Sequence, residues 1–158
     1  MKTAVSIIVN DRRCETEVPT TMLLVDFLRE VAGSKGTVVG CDTGQCGCCT
    51  VHVDGDAVKS CTMLTAQADG ASILTIEGLA SADGMHPMQR AFHEHHALQC
   101  GYCTAGIVMN AVDIVTKHHE LDERTIRRLI EGNLCRCTGY SNIVDAILEA
   151  AREAKRGA

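Results

Sequence analysis

The sequence predicts an α+β protein made of two small domains, and three observations lead to this prediction. Short segments rich in Val, Ile and Thr dominate the first half of the chain, whereas apolar residues recur at helical spacing in the second half. Turn-forming residues gather between the halves, in residues 79–86, which are expected to form a linker. The third observation is the presence of 10 cysteines among 158 residues. Bound metal stabilises domains that are too small to rely on a hydrophobic core alone.

The predicted first domain spans residues 1–78 and alternates strands with turns. Its strand-like segments are Val5–Val9, Cys14–Val18, Thr50–Val53, Ala57–Lys59 and Ile73–Ile76. The first two segments flank a turn and are expected to form a hairpin. Thr20 or Thr21 is expected to cap a helix that follows this hairpin. The apolar face of that helix consists of Leu24, Phe27, Leu28 and Val31.

The predicted second domain spans residues 87–158 and is helical. Pro87 suits the first position of a helix, and a second helix is expected to start near Thr104. Asp122 can cap a third helix, and a fourth is expected from about Ser141. Four short helices favour a compact four-helix bundle.

Four cysteines of the first domain have a spacing typical of metal ligands. Cys41, Cys46, Cys49 and Cys61 form the pattern C-x4-C-x2-C…C, the plant-type ferredoxin spacing that holds a [2Fe–2S] cluster. The glycines at positions 40, 44 and 47 allow a loop to adopt positive φ angles and to bring backbone amides close to sulfur. Structural zinc is the alternative, but the gap before Cys46 makes a poor zinc knuckle.

Four cysteines of the second domain form a less specific pattern. Cys100-x2-Cys103 followed by Cys135-x-Cys137 can hold an iron–sulfur cluster, chelate zinc or form a redox pair. Cys103 immediately precedes one predicted helix and Cys137 shortly precedes another. The partial positive charge of two helix N-termini favours an anionic [2Fe–2S] cluster at this position.

Two cysteines and a group of histidines lie outside these sets. Using Cys48 in place of Cys49 would shorten the x2 gap, so Cys48 is interpreted as a bystander that packs near the first metal centre. Cys14 is interpreted as a small apolar strand residue. The histidines within residues 93–96 are assigned to a solvated helix face, because two complete four-cysteine sets leave no ligand position for them.

The net charge and the lengths of the apolar segments limit which partners and which cellular compartment are expected. The net charge is −5, which disfavours nucleic acid as a partner. The sequence contains no apolar run long enough to span a membrane and no apolar segment of the kind an export signal needs, so a cytoplasmic location with reduced thiols is expected.

Four motifs around the cysteines follow one another over nearly the whole chain. They are Cys41-Asp42-x3-Cys46-Gly47-x-Cys49-Thr50, Lys59-Ser60-Cys61-Thr62, Gln99-Cys100-Gly101-Tyr102-Cys103-Thr104 and Gly132-Asn133-Leu134-Cys135-Arg136-Cys137-Thr138-Gly139-Tyr140. Together they resemble the small iron–sulfur subunit of the molybdenum hydroxylases. That family includes xanthine dehydrogenase and the three-subunit bacterial carbon monoxide, N-heteroaromatic, aldehyde and 4-hydroxybenzoyl-CoA enzymes.

The resemblance implies a plant-type ferredoxin-like β-grasp domain followed by a four-helix bundle. It also implies a large partner subunit with a molybdenum–pterin cofactor and a medium partner subunit with FAD, assembled as a dimer of heterotrimers. Electrons would enter from molybdenum and leave to the flavin. The cluster next to the pterin would be held by Cys100, Cys103, Cys135 and Cys137, and the distal cluster by Cys41, Cys46, Cys49 and Cys61. Gln99 and Cys137 would contact the pterin.

The sequence departs from the family pattern at two positions. Ala105 stands where the family usually has proline, and Cys48 stands where a small residue without a thiol is usual. Neither change removes a ligand, so they affect the rigidity of the two loops rather than cluster binding.

Two rival functions stay open. One is a free-standing diffusible ferredoxin, although a single-cluster domain would suffice for such a shuttle, and the other is a zinc-bound interaction module. The substrate is expected to bind the large subunit, so this chain does not determine it. Residues 58–63 and 75–78 resemble the carbon monoxide dehydrogenase-like branch, which also contains heterocycle and aldehyde enzymes.

Overall fold

A computed structural model describes residues 1–82 and 84–157 of the chain. Asp83, in the predicted linker, and Ala158, at the end of the predicted helical domain, lie outside the described residues. The described part contains one mixed β-sheet and six α-helical segments, which confirms the α+β prediction.

Five strands form the sheet of the described residues. They are β1 (Lys2–Val9), β2 (Arg12–Pro19), β3 (Thr50–Val53), β4 (Asp56–Lys59) and β5 (Ser72–Leu74). Their order across the sheet is β2-β1-β5-β3-β4. The two hairpins β1–β2 and β3–β4 are antiparallel, and β5 joins them by pairing parallel to β1 and antiparallel to β3. The predicted β1–β2 hairpin is confirmed, and the turns of both hairpins carry residues with positive φ, namely Asn10, Asp11, Asp54 and Gly55.

A short helix packs on one face of this sheet. It consists of α1 (Leu24–Asp26) and a π-helical turn over Phe27–Val31. The predicted cap at Thr20 or Thr21 is wrong, because the chain first turns through a hydrogen bond from Met22 N to Pro19 O and the helix starts only after Leu23. Leu23 is held in extended backbone by a bridge to Leu64.

The π-helical turn explains a second difference from the expected helix. Its amide at Ala32 donates to the carbonyl of Phe27, five residues earlier, so the helix is wider here than an α-helix. The extra residue rotates Val31 away from the sheet. Val31 is therefore 43% exposed, although helical spacing predicted it to be apolar core.

The last predicted strand of the first domain is shorter than expected. Strand β5 ends at Leu74, and Ile76 instead begins the one-turn helix α2 (Ile76–Leu79). Thr75 precedes this helix, and a hydrogen bond from its amide to the Asn10 side chain holds it beside the β1–β2 turn. The strand therefore cannot continue through Thr75 without losing this contact.

Four helices occupy the second half of the described chain. They are α3 (Pro87–Glu94), α4 (Thr104–Lys117), α5 (Glu123–Leu129) and α6 (Ser141–Gly157). The predicted starts are confirmed, and Asp122 caps α5 by accepting a hydrogen bond from Thr125 N at 2.8 Å. Helix α3 ends at Glu94.

The chain forms two principal hydrophobic cores. One lies between the sheet and α1, where the alternating residues Val5, Ile7 and Val9 of β1 face Phe27 and Leu28. The other lies among α3, α4 and α6. Its large buried side chains are Met88, Phe92, Ile107, Ile114, Ile126, Ile143 and Ile147.

Helix α4 joins these two cores by packing against the β3–β4 hairpin. The buried His52 side chain makes a 2.8 Å hydrogen bond between Nε2 and the carbonyl of Met109. At the end of the helix, Lys117 Nζ lies 2.6 Å from Asp113 and 2.7 Å from Asp56. The hairpin and α4 are thus fixed to one another along about two turns of the helix.

Candidate metal centres

The first four-cysteine set lies on a loop between α1 and β3 and on the turn that follows β4. Positive φ at Asp42, Gly44 and Gly47 curls this loop, so that backbone amides converge on sulfur. The amides of Thr43 and Cys46 lie 3.4 and 3.3 Å from Cys41 Sγ. Such donors stabilise a thiolate.

Cys49 and Cys61 are brought together by the end of the β3–β4 hairpin. Ser60 donates to the Cys49 carbonyl from both its amide, at 3.2 Å, and its hydroxyl, at 2.7 Å. Cys61 follows Ser60 in a 3₁₀ turn, and both cysteines pack against Val25 of α1. The hairpin register therefore sets the position of the fourth thiol, although it lies far from the others in sequence.

The thiols of the first set have different environments. Hydrogen bonds from Thr43, and next from the Cys46 amide, lower the pKa of Cys41 to about 6. Burial raises the pKa of Cys49 to about 11 and that of Cys48 to about 12. The environment of Cys41 therefore favours the thiolate form, and this side chain is partly exposed to solvent. Cys48 and Cys49 are buried, and their environment favours the neutral thiol.

Gly40 lies so close to two thiols of this loop that a larger residue would require them to shift. A Cβ atom there would lie 2.9 Å from Cys46 Sγ and 3.1 Å from Cys48 Sγ. Cys48 is buried, with 5% of its surface exposed, and packs in the same core as Cys46 and Cys103. The extra thiol therefore lies between the two cysteine sets.

The second set joins the segment before α4 to the segment before α6. Cys100 and Cys137 are exposed, and their sulfurs are 3.5 Å apart. Cys103 occupies the N-cap position of α4 and is buried together with Cys135. The set thus presents one pair of thiols to the surface and one pair to the core.

Local hydrogen bonds shape the second set. Burial alone would raise the pKa of Cys135, but hydrogen bonds from Thr138 lower the pKa on balance. Cys135 Sγ lies 3.1 Å from Thr138 Oγ1. Burial raises the pKa of Cys103 to about 12. The hydroxyl of Tyr140 accepts from Cys135 N at 2.7 Å and fixes the loop.

The thiols of both sets come together as contacting pairs. Cys100 Sγ and Cys137 Sγ are joined by a hydrogen bond, whereas Cys41 lies close to Cys46, Cys49 to Cys61 and Cys103 to Cys135; Cys46 also lies close to Cys48. Residues 1–82 and 84–157 contain no group of three or more His, Cys, Asp or Glu side chains arranged around one metal ion. Two pairs of thiols per set fit a two-iron centre with four cysteines.

Hydrogen bonds connect the two cysteine loops directly. Leu134 N donates to the carbonyl of Cys46 at 2.8 Å, and the buried Asn133 donates from Nδ2 to the carbonyl of Gly47 at 3.0 Å. Asn110 of α4 donates to Asn133 Oδ1 at 2.8 Å. In the sequence, Asn133 stands out only as part of the motif around Cys135, and no local pattern predicts this role, because it depends on a contact across 86 residues.

Two further close approaches bring these loops into contact. A Cβ atom at Gly47 would overlap the side chain of Asn133, and a Cβ atom at Gly106 of α4 would overlap the carbonyl oxygen of Gly47. Only glycine fits at either position without movement of the backbone. The loops that carry the two cysteine sets are therefore packed against each other and against α4.

Comparison with known proteins agrees with this arrangement. Residues 7–75 match the model of a 2Fe-2S iron-sulfur cluster binding domain, and residues 75–148 match that of a [2Fe-2S] binding domain. The gamma subunit of caffeine dehydrogenase from Pseudomonas sp. (strain CBB1) is 47% identical over 146 residues, covering 90% of this chain and 87% of that subunit. The iron-sulfur-binding subunit of aldehyde oxidoreductase from Escherichia coli O157:H7 is 45% identical over 162 residues, covering 93% and 71%.

The chain is an iron–sulfur subunit of the molybdenum hydroxylase family. Its fold agrees with that of a solved relative, quinoline 2-oxidoreductase from Pseudomonas putida 86. The TM-score is 0.92 at 42% identity, and the match covers 99% of this chain and 98% of the matched chain.

Several predicted features of the iron–sulfur subunit lie where the sequence suggested. Gln99 is exposed directly beside Cys100, and the histidines at 93 and 96 are exposed on and after α3. Ala105 lines a cleft with Phe92, Leu98 and other residues between α3 and α4. None of the helices in the described residues is long and apolar enough to cross a membrane.

Proposed function

We propose that this iron–sulfur subunit binds two [2Fe–2S] clusters. Cys41, Cys46, Cys49 and Cys61 would hold the first cluster, and Cys100, Cys103, Cys135 and Cys137 the second. The observation that supports this most directly is the convergence of the thiols within each set, with Cys46 N 3.3 Å from Cys41 Sγ, Cys49 packed against Cys61, and Cys100 Sγ 3.5 Å from Cys137 Sγ. When bound, such clusters accept and release single electrons.

The spacing of the cysteines distinguishes this proposal from a zinc-bound interaction module. A structural zinc site favours paired C-x2-4-C knuckles. The gap between Cys41 and Cys46 makes a poor knuckle, whereas it matches the plant-type ferredoxin spacing. Amide donors aimed at Cys41 Sγ further suit a centre whose charge changes at sulfur.

We propose that the subunit passes electrons from a molybdenum–pterin centre on a large partner to FAD on a medium partner. The exposed pair Cys100 and Cys137 supports entry at the second set, because these thiols lie at the surface together with Gln99. Gln99 and Cys137 would then contact the pterin. The hydrogen bonds from the Leu134 and Asn133 loop to Cys46 and Gly47 fix the spacing of the two sets, which suits a relay.

The surface around the second set argues against a diffusible ferredoxin. Leu98, Tyr102 and Leu134 are large, and each is more than 40% exposed beside the exposed thiols. An exposed apolar patch of this kind marks a protein interface. We propose that it faces the large subunit, in a dimer of heterotrimers located in the cytoplasm, with no nucleic acid bound.

The domain organisation follows from the same proposal. The ferredoxin-like β-grasp domain comprises residues 1–78, a linker spans 79–86, and residues 87–158 form a four-helix bundle around the second set. The core between the sheet and α1 and the helices α3 to α6 support this division, and the helical core extends to Cys46 and Cys48 of the first loop.

The substrate site is proposed to lie on the large subunit. Relatives are named for caffeine, quinoline and aldehyde oxidation, so similarity in this subunit accompanies more than one substrate class. The chemistry of the substrate is decided where it binds, and a cluster carrier handles only electrons.

Metal analysis of the purified full chain tests this function. We expect about four iron and four sulfide per chain, with no stoichiometric zinc, because each four-cysteine set suits one two-iron core. Two distinct paramagnetic signals should appear after reduction. Two zinc ions and no iron in protein prepared without exposure to air would contradict the proposal.

A further inference from the structure

Lys59 reaches from the end of β4 into the first cysteine loop. It is the last residue of the strand and lies two positions before Cys61. Its Nζ atom donates to the carbonyl oxygen of Gly44 at 2.7 Å, inside the segment between Cys41 and Cys46. The lysine thus links the strand that carries the fourth thiol to the loop that carries the other three.

The ammonium group also lies beside the second loop. A Cβ atom at Gly132 would be 3.3 Å from Lys59 Nζ, so the charge sits between Gly44 on one side and Gly132 on the other. The acidic residues nearest in sequence to these glycines, Asp42 and Glu131, are both exposed. Among the ion pairs formed by the described residues, none includes Lys59.

A lysine of this kind has an electrostatic effect as well as a structural one. The Gly44 carbonyl accepts a hydrogen bond but does not neutralise the positive charge. The side chain is partly buried, so water screens its charge less than that of a fully exposed lysine. A nearby positive charge favours the reduced cluster, which carries one more negative charge than the oxidised cluster.

We propose that Lys59 is a positioning residue that raises the reduction potential of the first cluster relative to the second. It holds the Gly44 turn against β4 and keeps a positive charge beside the loop. This difference in potential favours passage of an electron from the second set to the first. The inference rests on the proposed function, since it requires a cluster at each set.

A purely structural role for Lys59 leads to different expectations. If Lys59 acts only through its hydrogen bond to Gly44, its loss lowers cluster content or stability without a selective change in the reduction potential of one cluster. Loss of a charge changes the potential of the nearer cluster and does so more strongly at low ionic strength. The two roles are therefore separable by redox titration.

The test is a redox titration of the full chain, followed by low-temperature paramagnetic resonance of both clusters in the same sample. Lys59→Met removes the charge and the donor, Lys59→Gln removes the charge but keeps a donor, and Lys59→Arg keeps both. We expect Lys59→Met and Lys59→Gln to lower the ratio of reduced to oxidised first cluster about tenfold at a fixed ambient potential. A tenfold change corresponds to about 59 mV for a one-electron couple.

Lys117→Met is the matched control. Lys117 is also a hydrogen-bonded lysine beside the β3–β4 hairpin, but it pairs with Asp56 and Asp113 at the far end of α4. Its loss should leave both potentials unchanged. Lys59→Arg should likewise titrate as the wild type does.

Each outcome bears on the proposal. A larger shift at the first cluster than at the second, absent in Lys59→Arg, supports it. Unchanged potentials, equal shifts at both clusters, or failure of the uncharged variants to load the first cluster would overturn it. If the wild-type chain held no iron–sulfur clusters, the proposed function itself would fail instead.

Discussion

Cys48 and Cys49 are adjacent and buried, yet they belong to different surroundings. Cys49 packs with Cys61 and Val25, whereas Cys48 packs in the helical core with Cys46 and Cys103. The two residues lie in a turn closed by a hydrogen bond from Thr50 N to the Gly47 carbonyl at 3.2 Å, and this turn directs their side chains into different clusters, so that only Cys49 lies beside Cys61. The spacing of the cysteines favours Cys49.

We therefore predict that Cys48→Ala keeps both clusters and that Cys49→Ser damages the first. The alanine leaves a small cavity in the core, so a modest loss of stability of about 1 kcal/mol is expected without loss of iron. Iron content and the two paramagnetic signals measure the difference. If Cys48→Ala abolished one signal while Cys49→Ser kept both, the ligand would be Cys48.

At the scale of elements, α4 supports the first cysteine loop through a glycine. Gly106→Ala would place a methyl group against the carbonyl oxygen of Gly47. We expect this overlap to destabilise the chain by about 1–3 kcal/mol and to loosen the first cluster, because helix or loop must shift. Chemical denaturation followed by the visible absorption of the clusters measures both effects.

Gly132→Ala is the matched substitution for Gly106→Ala. Its added methyl group meets the Lys59 ammonium at 3.3 Å rather than backbone, so a shift of a few tenths of an ångström that keeps the hydrogen bond to Gly44 relieves the contact. This variant should unfold close to the wild type. Equal losses in the two variants would show that the Gly106 contact is not what supports the loop.

The contact between β4 and α4 should depend on pH. A hydrogen bond from Lys117 lowers the pKa of Asp56 below its ordinary value of 3.8. Because the folded pKa is depressed, the stabilisation is complete above the unfolded pKa and is lost as pH falls through the folded pKa. Lys117→Met should therefore lower the unfolding temperature slightly at neutral pH and by less at about pH 3.

This measurement compares wild type and variant at two pH values. A difference that stays constant from neutral to acidic pH would mean that the lysine acts through packing of its aliphatic chain rather than through its charge. Added salt at neutral pH should reduce the difference as well, because both partners are substantially exposed.

The sequence predicted elements whose signals are local. Hairpins with Asn10, Asp11 and Gly55 at their turns, and a helix capped by Asp122, were found where expected. The π-helical turn and the exposure of Val31 were not predicted, because the apolar spacing of this segment is that of an ordinary helix and does not indicate a hydrogen bond from Ala32 to Phe27. The grouping of the cysteines into two ligand sets stays a prediction.

The contacts that join the two cysteine sets also could not be predicted from the sequence. Asn133 and Gly106 have no distinctive spacing, and their roles depend on residues more than 50 positions away. Such contacts become visible only when the loop and α4 are placed together. Their signal in the sequence was confined to the motif around Cys135.

For the whole molecule, the proposed relay has a testable order. In the assembled complex, Cys137→Ser should leave molybdenum reducible by substrate but slow reduction of the first cluster and the flavin. Cys46→Ser should let substrate reduce the second cluster while the flavin stays oxidised. Anaerobic rapid-mixing spectroscopy on both variants measures this order.

Assembly of each variant is the control, since loss of a metal can unfold the domain around it. Size-exclusion chromatography of the complexes before mixing checks that each variant still binds its partners. If Cys46→Ser stopped electrons before they reached the second cluster, the direction of the relay would be reversed.

The position of β5 has a consequence for how the chain is made. This strand lies between β1 and β3, so the two hairpins are joined only when residues 72–74 take their place. All four cysteines of the first set precede β5 and are therefore synthesised before the sheet can close. At about 5–20 residues per second, the delay between Cys61 and β5 is on the order of a second. During translation the unshielded sulfurs are thus open, for that interval, to iron delivery and to oxidants alike.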